Sequence, residues 1–205
     1  EAAAVRGESA RGRESERASE RERAAGPGRG TMKVIGMSIL RWGGDTEDPV
    51  YLSAATDLSS FGFFERTTAG QFVKFIGRTL IKRTPPGKRQ SVANEGHMVH
   101  TYLRSDGLGG VLIADAEYPE RVAFTILGQM LDQFNTEFAT KWPTVKEDTE
   151  LAFEGLKKAI VEYQDPSKAD KITKIQQDLD QTMEVMHKTI DSVLERQGKL
   201  GKLVP

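Results

Sequence analysis

"SVLERQGKL", residues 192–200, is the stretch on which the reading of this chain turns. Val193 and Leu200 stand seven residues apart, the spacing of apolar seam positions on a heptad helix. The seam position between them is Arg196. Extended in both directions, the rhythm holds: Ile172, Ile175, Leu179, Thr182, Met186, Thr189, Val193, Arg196, Leu200 and Leu203 alternate steps of three and four. Gln176, Asp178, Asp180 and Glu184 lie between them and would stay in water. The spacing therefore predicts a coiled-coil helix over 171–205. Two Thr and one Arg weaken its seam, so the helix is expected to order only with partners. A lone polar seam residue fixes register and partner number at some cost in stability. Spacing alone leaves a second reading of Arg196 open, in which it snorkels out at the edge of a bundle.

Ahead of the tail, "DPSKAD" reads as a linker over 164–170, with Asp165 and Pro166 suited to starting a new helix. The stretch 32–163 has the texture of a folded domain. "MKVIGMSILRW" and "VYLSAATDL" read as two strands of a hairpin joined by the turn signal "GGDTEDP". A helix is expected over Gln71–Arg83, capped by Thr67 or Thr68 and ended by "TPPG". On its wheel Phe72, Ile76, Thr79 and Leu80 share a face, and Phe75 falls at the margin beside Arg78 and Lys82. Residues 89–95, "HMVHTYLRS" and "VLIADAEY" read as three more strands, with Asp106–Gly107 as a type I′ hairpin pair and "GLGG" as a turn. Ala123, Leu127, Met130 or Leu131, Phe134 and Phe138 mark an amphipathic helix over 119–139. Phe153, Leu156, Ile160 and Tyr163 mark another over about 149–163. Strands, a helix, strands and then helices give an α+β domain with an antiparallel sheet.

Residues 1–31 hold seven Arg, six Glu and only Val5 as a large apolar side chain, a composition expected to be disordered. The whole chain has a net charge of −1, which offers no general attraction to nucleic acid. It has no Cys, so disulfides, thiolate catalysis and Cys-ligated zinc are excluded. No run reaches the roughly 18 apolar residues of a membrane-spanning helix. His97 and His100 lie three apart on a strand and point to opposite faces, so no metal site is expected. "PPGKRQS" lacks the first Gly of a phosphate loop, and no nucleophile-and-base pair is visible. The expectation is a protein that is not an enzyme and needs no cofactor.

"VLERQGKL" at the centre of such a seam resembles the central layer of an R-SNARE, and "DLSSFGFFERTTAGQF", "RTPPGKRQS", "ADAEYP" and "YQDPSKAD" resemble the longin domain and linker of the Ykt-type, lipid-anchored R-SNAREs. The resemblance spans about 32–203. It implies a profilin-like longin fold, a five-stranded antiparallel sheet with helices on its faces, followed by a SNARE helix. It implies membrane fusion through a parallel four-helix bundle with Q-SNAREs, in which Arg196 meets three partner Gln. A guanidinium presents five donors in a rigid fork, so three side-chain carbonyls satisfy it only in that register. The resemblance further implies a closed state in which the longin domain receives its own SNARE segment in a groove of Phe72, Phe75 and Ile76. For the intact protein it implies a cytosolic location, with peripheral attachment to Golgi, endosomal or vacuolar membranes. The family ends in a Cys-rich prenylated and acylated tail. This chain ends "GKLVP" two seam positions after Arg196, so a truncated motif without its lipid anchor is expected. Gly198 and Gly201, where the family has charged helix formers, each cost about 1 kcal/mol of helix propensity. The alternative is a longin-type trafficking adaptor that binds without fusing membranes.

Overall fold

The structure, a computed structural model, describes residues 33–165 and 184–194. Its elements run β1 (Val34–Arg41), β2 (Val50–Thr56), α1 (Glu65–Arg83), β3 (Lys88–Asn94), β4 (His97–Leu103), β5 (Leu108–Asp115), α2 (Glu120–Phe138), a 3-10 turn (Trp142–Thr144), α3 (Glu154–Glu162) and β6 (Val185–Thr189). The sheet has the order β2-β1-β5-β4-β3-β6. The first five strands pair antiparallel, with β1–β2, β3–β4 and β4–β5 as hairpins and β1–β5 joining the two groups. The expected α+β architecture with helices on both faces is therefore present, but the sheet has six strands rather than five. The sixth comes from the tail and pairs parallel to β3.

Alternation along the strands divides the interior in two. Leu112 and Ala114 of β5 face α2 and α3, while Val111 and Ile113 face α1. The first face is filled by Phe124, Leu127, Phe134 and Phe138 of α2 with Phe153, Leu156 and Ile160 around α3. Full burial of one such side chain stabilises by about 1.5–3 kcal/mol. The second face is covered by Val73, Ile76, Leu80 and Ile81 of α1. Gly77 lets α1 press down on the sheet: a Cβ there would stand 2.5 Å from the Tyr51 hydroxyl. That hydroxyl donates to the Lys74 carbonyl at 2.7 Å, and burial pushes its pKa up to about 12.

Several local expectations are corrected. "GLGG" is only partly a turn. Gly107, with φ of 91°, is in the loop, but Gly109 and Gly110 lie inside β5, packed beneath Ile81 on one face and Leu127 on the other. Asp106 keeps a negative φ, so Asp106–Gly107 is not a type I′ pair. The two consecutive positive φ values fall instead at Glu95 and Gly96, between β3 and β4. The first helix begins at Glu65, ahead of Thr67 and Thr68, because the Glu65 carboxylate accepts the Gly62 N–H at 3.0 Å. Its buried face centres on Val73, Ile76 and Leu80, leaving Phe72 outside it. The last helix begins at Glu154 rather than near 149, because residues 148–151 run along β2 instead. Thr149 and Leu151 donate their N–H groups to the Tyr51 and Leu52 carbonyls, and Asp148 accepts from the Tyr51 N–H.

Both edges of the five-strand sheet are thus covered by the chain itself. An open edge invites foreign strands, so covering it has a physical purpose. Residues 148–151 shield β2, and β6 shields β3.

Candidate docking site for the tail segment

β3, KRQSVAN, alternates inward-facing residues across both layers, with Gln90 and Val92 toward α1 and Ser91 toward α2. Its outer edge carries unpaired backbone groups until β6 arrives. The register sets Arg89 beside Val185, Gln90 beside Met186, Ser91 beside His187, Val92 beside Lys188 and Ala93 beside Thr189.

On the α2 face this register builds a polar row. Ser91 stands between His187 of β6 and His100 of β4. Glu120, in the first turn of α2, lies over the row. Its Oε2 meets the Ser91 hydroxyl at 2.7 Å and His187 Nε2 at 2.9 Å, and Ser91 Oγ meets His100 Nδ1 at 2.9 Å. Donor counting assigns the protons. An ionised carboxylate only accepts, so Ser91 and His187 Nε2 both donate to Glu120. The single Ser91 proton is then used, so His100 Nδ1–H donates to Ser91. His100 Nε2, which has no partner among the described residues, is left as a bare acceptor. Burial holds His100 neutral, with its pKa lowered to about 4 against the opposing pull of Glu120. Burial tends to raise the Glu120 pKa, but hydrogen bonds from Ser91 and His187 outweigh it and the net shift is downward.

On the α1 face the contact is largely apolar. Lys188 Nζ donates to Gln90 Oε1 at 3.2 Å, and the chain then turns helical over residues 190–194. Thr189 and Ser192 exchange hydrogen bonds at the start of that turn, each backbone N–H meeting the other's hydroxyl. Val193 is only 3% exposed and joins Ile76, Leu80, Val92 and Val99, with Ile190 packed alongside.

The residues expected to matter separate cleanly. Ile76 is fully buried beneath the docked tail, whereas Phe72 and Phe75 are 38% and 50% exposed. Of the seam, Met186, Thr189 and Val193 lie within the described residues. Ile172, Ile175, Leu179, Thr182, Arg196, Leu200 and Leu203 lie outside them. Residues 185–189 are strand where the heptad pattern predicts helix. The reason is partnership: a weak seam has nothing to pack on in a single chain, and the open edge of β3 offers backbone hydrogen bonds to the same residues. The change splits the seam, because residues three apart point to opposite faces of a strand. Met186 and Thr189 therefore cannot both present to a bundle while docked. Sequence reasoning missed Ser91, Glu120 and His187 as a group. Ser91 is a fully buried polar residue within β3, but Glu120 stands on a helix and His187 on an exposed strand, so no single sequence pattern joins them.

Residues 58–160 match a family model described as Longin, a regulated-SNARE-like domain. The chain is 46% identical over 173 residues to "VAMP-like protein YKT61" of Arabidopsis thaliana, covering 84% of this chain and 86% of that one. It is 47% identical over 175 residues to "Synaptobrevin homolog YKT6" of Yarrowia lipolytica, with the same two shares covered. It is 45% identical over 175 residues to the protein of the same name from Saccharomyces cerevisiae, again covering 84% and 86%.

Proposed function

The chain belongs to the Ykt6-type longin R-SNARE family, whose members serve vesicle trafficking without catalysis, and from that premise we propose that it cycles between a closed monomer and a four-helix fusion complex. In the complex, residues 171–205 form one helix of a parallel bundle with Q-SNAREs, and Arg196 faces three Gln in the central layer. In the closed form the longin domain holds the tail out of reach. Phe72 and Phe75 beside Ile76 extend the receiving surface along α1. The site of action is the cytosolic face of Golgi, endosomal or vacuolar membranes, and a lipid-bearing C-terminal tail is the anchor expected of the intact protein.

One observation carries this reading: Met186, Thr189 and Val193, three consecutive seam positions, are engaged by the domain at the β3 edge. The same residues cannot serve strand and bundle together, so docking opposes assembly. Q-SNARE binding must supply more free energy than the docked strand and the Val193 contact provide, and the domain thereby sets a threshold for assembly.

The test is to mix the purified chain with Q-SNARE helices. A complex that resists heat and detergent, with a gain of helix signal from the tail, is expected. Removing residues 32–163 should speed its formation. Failure to form any such complex, with either version, would leave a trafficking adaptor as the better description.

A further inference from the structure

Docking of β6 has two attachments of different kinds. On the α1 face the attachment is the apolar plug of Val193. On the α2 face Val185 packs against the core beneath α2 and α3, and the polar attachment is a single carboxylate. Glu120 accepts one hydrogen bond from within the domain, through Ser91, and one from the tail, through His187. The domain-side bond orients the carboxylate before the tail arrives, and His100 in turn orients Ser91. Glu120 sits in the first turn of α2, where the helix dipole favours its charge.

This geometry reads register. A one-residue slip of β6 would bring Met186 or Lys188 opposite Ser91, and every side chain would change face. A two-residue slip would bring opposite Ser91 either Val185, which has no side-chain donor, or Thr189, whose hydroxyl is on a much shorter side chain than the imidazole. In the observed register the side chain facing Glu120 is an imidazole, which can donate in either protonation state.

We propose that Glu120 is a latch for the tail: through His187 it fixes the register of β6 and sets how readily residues 185–193 leave the sheet edge. Ser91 and His100 are positioning residues for that carboxylate. The latch rests on the closed-state reading above and names the contact through which that state is tuned. Because one side of it is largely exposed, it is a fine control added to the Val193 plug, suited to release when Q-SNAREs compete.

Amide hydrogen exchange on the full chain tests this. The amides of residues 185–189 that bond to β3 are expected to be protected in the wild type. Glu120→Gln and His187→Leu should each speed their exchange by about two- to fivefold, the range of a partly exposed pair held by a hydrogen bond to a carboxylate, with β1 and β5 unchanged. Combining Glu120→Lys with His187→Glu should return the rate toward wild type, which loss of packing alone does not predict. His187→Leu, on the exposed strand, carries the test if Glu120→Gln impairs folding. Unchanged exchange in the single variants, or a swapped pair no slower than they are, overturns the latch while leaving the closed state intact. Wild-type amides exchanging as freely as an unstructured peptide overturn both.

Discussion

Val193 of the tail and Ile76 of α1 are buried in one cluster, at 3% and 0% exposure. A residue of the heptad seam thus completes the interior of a domain formed by a separate part of the chain. Val193→Asp removes an apolar contact of about 1.5–3 kcal/mol and puts a charge in its place. The tail should detach in most molecules while the domain keeps its cooperative melt. Small-angle scattering should report a larger radius of gyration, and an unchanged radius would contradict the docked arrangement.

Phe75 offers a contrasting case. It is half exposed, so Phe75→Glu should change the stability of the domain by no more than about 0.5 kcal/mol. If α1 guides the tail beyond residue 194, the same change should expand the molecule. A variant that unfolds, or that stays as compact as wild type, would remove Phe75 from the receiving surface.

Arg196→Gln separates a central-layer arginine from one that snorkels. An exposed Arg contributes little, so snorkelling predicts near-neutrality. A central layer of four Gln lacks the matched donor fork, and breaking such a buried charged network costs several kcal/mol, about 3–5. Liposome fusion, with the chain tethered to the membrane through its C-terminus, should slow. Changing one partner Gln to Arg should recover much of the rate. A combined change no better than the worse single one would disprove the layer.

His100 makes the domain acid-sensitive. Its folded pKa of about 4 lies below the unfolded value of 6.5 because burial disfavours the imidazolium. Between those values the unfolded chain binds the additional proton, so stability falls as pH drops from 6.5 toward 4. The full shift corresponds to a loss of about 3 kcal/mol. Melting temperature against pH should show this slope in wild type and a shallower one in His100→Asn. Equal slopes would assign the acid sensitivity to other groups.

Much of the domain was legible because periodicity records burial directly. Leu127, Phe134 and Phe138 repeat at helical spacing because α2 lies on a sheet, and Val111 to Ala114 form a continuous apolar run because β5 is buried on both faces. The Glu95–Gly96 turn and the early start of α1 were not legible. They depend on backbone conformation and on one carboxylate reaching one N–H, neither of which leaves a periodic trace. On α1 the wheel places Ile76 on the buried face and Phe75 at its margin, as the structure has them, whereas Phe72, expected on that face, is 38% exposed.

The tail marks the boundary between the two kinds of information. By itself the sequence determined that residues 172–203 carry a seam with a single Arg, since spacing is a property of the chain alone. Only the tertiary structure decided that residues 185–189 are strand in the monomer. That outcome depends on an open edge at β3, on Glu120 reaching His187 and on an apolar cluster that Val193 joins, all assembled by elements distant in sequence. A segment with a weak helical seam takes the conformation its surroundings satisfy, because its intrinsic preference is smaller than the free energy of either set of contacts.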